Sequence, residues 1–251
     1  MIVIGISVIF KKELLDMVLW TFFIVILVAY SFFVKDTLVE PHQSDEMLEE
    51  EISFAMEEGM EEGKLILDIG ASNFEIDSAS FDLLRLEQDG AYNYKVESKA
   101  GVEEVYIEGK DEFLKNTGKR RDLFLALNND IAWEMDFDMG AVNGNINLED
   151  IIVDYIDLEV GAGNLELSLG GKNEFTLIDI EAGASKVVLN FPEEVGIKVD
   201  FEGGLNTSNL NDIGLIETEN NKFESKDYND ASSQFEINVE MGVGNLEINY
   251  Y

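Results

Sequence analysis

Cysteine is absent, histidine occurs once, proline twice, and bases are scarce, with 17 Lys and Arg against 52 Asp and Glu. Each shortage excludes something. Without cysteine there is no disulfide, no thiolate metal site and no cysteine nucleophile. The lone histidine, His42, lies beside Pro41 in a polar connection. No Ser-His-Asp triad or histidine-based zinc site can be assembled away from it. With two prolines, turns fall to the 21 glycines and to Asn and Asp. The formal charge of −35 repels phosphate backbones and argues against nucleic acid. The polybasic patch that draws a domain onto anionic lipid is also missing, so contact with a bilayer must be hydrophobic.

What remains is rich enough to fold. Hydrophobic residues make up 46% of the 251, with 16 Phe and 8 Tyr, unlike a disordered chain. Residues 17–34, MVLWTFFIVILVAYSFFV, are an uncharged run of 18. As a helix the run would rise about 27 Å, close to the thickness of the hydrocarbon core. Trp20 and Tyr30 suit its interfaces, and Lys11 and Lys12 before it outnumber Lys35 after it. The positive-inside rule then puts the amino terminus in the cytoplasm and the rest outside. A buried core helix and a cleaved signal peptide are the alternatives. Residues 1–10, MIVIGISVIF, are too short to span and would be a partial span or an interfacial segment; a true second span would invert the topology. Residues 37–63 form an acidic connection, in which DEMLEEEISFAMEEGMEE (45–62) suggests a short helix or a solvated stalk.

From Lys64 the apolar period is two. Leu65 and Leu67 alternate with polar neighbours, as do Phe74 and Ile76, then Ile156, Leu158 and Val160, then Leu165, Leu167 and Leu169. Each strand should bury one face and wet the other. Between these runs a turn recurs: GASNFEI, GAVNGNINL, GAGNLEL, GASKVVL, GGLNTSNL and GVGNLEI, opening at Gly70, Gly140, Gly161, Gly183, Gly203 and Gly242. Glycine permits positive φ and Asn tolerates it, so the chain is expected to turn a corner there. The interval from 140 to 161 is 21, from 161 to 183 is 22 and from 183 to 203 is 20. The interval of 39 from 203 to 242 reads as two periods, with one turn lost to the polar stretch 217–230. A period near 21 with two short strands per period predicts parallel, in-register stacking of like on like. An antiparallel sandwich fits the alternation but not the fixed period.

Other chemistry finds little support. A glycosidase carboxylate pair acting on acidic sugars would need basic groups to hold its substrate, and the only arginines are Arg85, Arg120 and Arg121. Calcium would suit wet-face acids such as Glu149, Asp150, Asp154 and Asp157. The EF-hand and β-roll patterns are absent, so the reading is a solvated acidic face, with calcium as the alternative. The one basic cluster, KNTGKRR at 115–121, reads as a loop pairing with nearby carboxylates, or as a docking point for an acidic partner. No glycine-rich nucleotide loop precedes a helix.

The segment KLILDIGASNFEIDSASFDLLRLEQDG (64–90) resembles the opening module of the toast-rack domain. Residues 133–251, with FPEEVGIKV at 191–199, resemble its remainder. The resemblance is to the LiaF-like membrane proteins of the bacterial cell-wall-antibiotic response, and it covers roughly 64–251. It implies a β-solenoid carried by transmembrane helices and a role in sensing envelope stress by restraining a membrane histidine kinase. Those proteins carry several spans, whereas this chain shows one and a fragment.

The expectation is therefore an all-β protein, a toast-rack β-solenoid of stacked repeats of about 21 residues behind an N-terminal transmembrane helix. Its parts would be a membrane anchor (1–36), an acidic linker (37–63), an opening β module (64–118) and the repeat solenoid (119–251). No cofactor and no catalysis are expected. The expected partners are membrane lipid, through the helix, and a protein such as a two-component sensor kinase. The expected location is the cell membrane, with the solenoid outside. The alternative is a surface-displayed structural or adhesion module.

Overall fold

The computed structural model describes residues 50–57, 59–99, 101–110 and 122–251, all within one folded unit. The apolar runs at 1–10 and 17–34, His42 and the basic cluster at 115–121 lie outside the described residues. Among the described residues no helix is long and apolar enough to cross a membrane.

Strands dominate. They are β1 (Glu50–Phe54), β2 (Glu62–Ser80), β3 (Leu84–Gln88), β4 (Tyr92–Lys99), β5 (Val102–Gly109), β6 (Asp122–Asn128) and β7 (Ala132–Leu148). Then come β8 (Ile152–Leu169), β9 (Phe175–Phe191), β10 (Gly196–Ser208), β11 (Ile216–Glu219), β12 (Lys222–Glu224) and β13 (Gln234–Tyr250). A 3-10 turn lies at Tyr228–Asp230, between β12 and β13. Glu50–Phe54, expected within a solvated spacer, is instead a strand paired antiparallel with β3, and its Ile52 and Phe54 pack on the core.

Six long strands, β2, β7, β8, β9, β13 and β10, stack in parallel and in register. Each repeat is one long strand bent at its glycine, where two short strands were expected. The burial pattern shows how. In β7, Trp133, Met135, Phe137 and Met139 are buried, Gly140 and Ala141 are both exposed, and burial resumes at Val142, Ile146 and Leu148. Two consecutive outward residues shift the alternation by one. The arm before the corner and the arm after it thus turn apolar faces to the same core. The same slip follows Val160 in β8, Ala182 in β9 and Met241 in β13. Only three residues, 149–151, separate the end of β7 from the start of β8. The Phe191 and Phe235 rings, from the end of β9 and the start of β13, lie 4.9 Å apart.

The corner glycines serve close approach, and none of the six expected at corners has a positive φ. A Cβ on Gly140 would lie 2.7 Å from the Gly70 carbonyl oxygen, and one on Gly161 would lie 2.7 Å from that of Gly140. Gly183 meets Gly161, and Gly242 meets Gly183, in the same way. Gly70 begins the ladder and has nothing near its missing side chain. Gly203 is one residue early. It pairs with Met241, and Gly204 is the residue against the Gly242 carbonyl.

Two further departures concern connectivity. The stretch 217–230 does not replace a lost coil. It carries parts of β11 and β12, which pair beside the first arm of β10. The last strand, β13, does not follow β10 in the stack: its residues 234–246 lie between β9 and β10, and its final residues pair with β9 beyond the end of β10. At the other end the sheet forks. The first arm of β2 continues into β5 and β4, and the second into β6, β3 and β1. An edge-to-face contact between Phe54 and Tyr94, centroids 5.6 Å apart, joins the two branches.

Candidate functional site

In-register stacking places equivalent outward residues in rows, one per strand, about 4.8 Å apart. The first arms carry an acidic row. Glu108, Asp68, Asp138, Glu159, Glu181, Glu240 and Glu202 follow one another across β5, β2, β7, β8, β9, β13 and β10. Among the described residues none of these carboxylates has an ion-pair partner within 4.0 Å, and Glu181 and Asp138 hold Glu159 above the usual carboxylate range. The adjacent row, Asp136, Asp157, Asp179, Asn238 and Asp200, is better partnered. Lys64 pairs with Asp136 at 3.7 Å, Lys222 pairs with Asp200 at 2.9 Å, and the Asn238 amide donates to Asp179 at 2.8 Å. The Tyr155 hydroxyl donates to Asp179 at 2.9 Å; burial and the neighbouring Asp179 and Asp157 carboxylates raise its pKa.

The acids singled out in the sequence do not come together. Asp157 sits in this second row, whereas Asp150 pairs with Lys172 at 3.2 Å and Asp154 accepts from the Asn173 amide at 2.7 Å. Among the described residues no group of three acidic or histidine side chains is placed to hold a metal ion.

The second arms carry a groove of about 820 Å³ over β3, β6, β2, β7, β8 and β9. One row along it is Asp122, Asn73, Asn143, Asn164 and Lys186; the other is Glu87, Phe124, Glu75, Asn145, Glu166 and Val188. Arg85 lies over the Phe124 ring, 5.8 Å from its centroid, and its Nε stands 3.4 Å from Glu87. That Nε is buried and makes no hydrogen bond. The Asn73 amide donates to Asp122 at 2.9 Å, and Lys186 pairs with Glu247 at 3.0 Å. Asn143, Asn145 and Asn164 are exposed.

Sequence reasoning missed this groove. It took the corner Asn residues as tolerating positive φ, yet among the described residues only Asn221 outside glycine has one. The signal was available: Asn stands three residues after the glycine at 73, 143, 164, 206 and 245. The contribution of Arg85 and Phe124 was not readable, because it depends on β3 and β6 pairing beside the second arm of β2.

These features define an all-β protein of stacked, in-register repeats with one acidic outer face and one grooved outer face. The model of the N-terminal domain of toast-rack proteins (DUF2154) matches residues 42–190, more than half of the chain, and the chain belongs to that family. A proposed cell adhesion protein from Clostridium sporogenes is similar in structure, with a TM-score of 0.68 and 24% identity over 80% of this chain and 99% of that one. It shows the shared fold. A candidate adhesin from Bacteroides fragilis (TM-score 0.31, 11% identity, 79% of this chain and 95% of that one) agrees far less well. So does a candidate lipid-binding protein from Parabacteroides distasonis (0.22, 12%, 79% and 95%). No curated protein matches the chain.

Proposed function

We propose that the stack is a β-solenoid held at the cell membrane by the apolar run at 17–34, and that it is a non-enzymatic binding module of the cell envelope. The observation that carries this reading is the groove, an open surface of amides, carboxylates, two bases and the aromatic residues Phe74 and Phe124. Its hydrogen-bonding side chains are arrayed in rows and do not converge on one reacting atom. The proposed cell adhesion protein from Clostridium sporogenes, with the same fold, supports a role in attachment. Resemblance to the LiaF-like proteins supports a regulatory form of the same role, in which the occupied module contacts a membrane sensor kinase.

Deletion of the gene in its host tests both forms. Loss of attachment to surfaces or neighbouring cells, with a normal transcriptional response to cell-wall antibiotics, selects adhesion. An altered response with normal attachment selects regulation. No change in either sinks the proposal. Topology adds a second test. The chain has no cysteine, so Ser208→Cys, at an exposed strand end, provides a single label site. A membrane-impermeant maleimide is expected to label intact cells, and labelling only after lysis would overturn an external module.

A further inference from the structure

The geometry points to a neutral glycan chain as the ligand of the second-arm groove. This inference rests on the binding role proposed above.

Three features select the ligand. The first is charge. Among the described lining residues Glu75, Glu87, Glu166 and Asp122 outnumber Arg85 and Lys186, and each base already faces a carboxylate. An anionic polymer would meet net repulsion from these carboxylates. A neutral polyol avoids that penalty.

The second is hydrogen-bonding type. Asn143, Asn145 and Asn164 each expose an amide that both donates and accepts, and carboxylates accept from hydroxyls. A sugar hydroxyl does both, so one ring can engage an amide and a carboxylate together. The half-buried Phe124 ring adds an apolar surface.

The third is spacing. The Asn73, Asn143 and Asn164 row advances by one strand separation, about 4.8 Å, at each step. An extended peptide advances about 3.3 Å per residue and presents alternate side chains to opposite faces, so it falls out of step with such a row. A linear glycan carries hydroxyls around every ring, so each ring that meets the row can hydrogen-bond to it whichever face it turns.

The test measures binding of cellohexaose and chitohexaose to the full chain in lipid nanodiscs by calorimetry, with oligogalacturonate as the anionic comparison. One or both neutral probes are expected to bind, and oligogalacturonate about tenfold more weakly or not at all. In the double variant Asn143→Ala/Asn164→Ala, exposed side chains are removed and the core is untouched. Its affinity should fall about tenfold or more, as expected for lost hydrogen bonds to a polar ligand. Glu240→Gln, on the outer face of the first arms, should bind like the parent chain. Failure of both neutral probes, or a double variant that binds unchanged, overturns the glycan assignment. Attachment or stress signalling that still depends on the gene would then leave the broader binding role standing.

Discussion

At the scale of single residues, the corner glycines separate two reasons for glycine that a sequence motif confuses. Gly161 has an ordinary backbone conformation and is required because the Gly140 carbonyl occupies the place of a side chain, 2.7 Å from where Cβ would sit. Gly70 carries the same motif but begins the ladder, and its missing side chain would face open space. Gly161→Ala should therefore cost about 1–3 kcal/mol, the scale of forced backbone displacement. Gly70→Ala should stay within about 0.5 kcal/mol. Urea denaturation of the two variants checks this, and equal losses would show that backbone conformation governs after all. Gly163 combines both reasons: φ is +139° and its Cβ would collide with the Val142 carbonyl, so Gly163→Ala should be the worst of the three.

At the scale of elements, β13 holds the stack together. It pairs with β9 over almost its whole length and with β10 along much of it, so the last strand of the chain is interior. Where β10 stops at Ser208, the Asn209 side chain takes over its pairing. Its amide donates to the Ile248 carbonyl at 2.8 Å and its oxygen accepts from the Ile248 N–H at 2.9 Å. Asn209→Ala should cost about 1–3 kcal/mol for these two bonds, read from the denaturation midpoint. Removing residues 234–251 should abolish cooperative unfolding, because among the described residues β10, β11 and β12 pair with the rest of the sheet through β13 alone. A truncated chain that still melts cooperatively with a native-like β spectrum would contradict this.

The same element marks the limit of what the sequence reveals. Alternation and the near-constant interval exposed the parallel, in-register strands, because stacking like on like imposes that repetition on each coil. The order of the coils was not readable. Nothing local distinguishes β13 on top of β10 from β13 slipped between β9 and β10, since both place Ile237 and Val239 on the same apolar rows. Glu50–Phe54 was missed because its Glu-rich composition outweighed a five-residue alternation of Ile52 and Phe54 with polar neighbours. The acidic rows follow from the repeat once the register is known. The groove needs β3 and β6, which lie outside the repeat.

At the scale of the whole molecule, a formal charge of −35 includes a continuous line of carboxylates, the row through Glu159. Repulsion from Glu181 and Asp138 raises the Glu159 pKa in the folded state. The folded chain then holds that proton more readily than the unfolded chain does. By linkage, the group weakens the fold at neutral pH, and the penalty is relieved as pH falls through the raised folded value toward the ordinary carboxylate value. Asp157 carries a shift of the same sign, from burial first and then from Asp136 and Asp179. These two groups should therefore favour the fold more on mild acidification, opposite to carboxylates held in salt bridges. Glu159→Gln, which keeps the shape and removes the charge, should raise the melting temperature at pH 7. The gain should shrink as pH falls into the carboxylate range, and it should also shrink in high salt, which screens exposed charges. A variant whose advantage persists unchanged in acid and salt would mean that packing, not repulsion along the row, sets the effect.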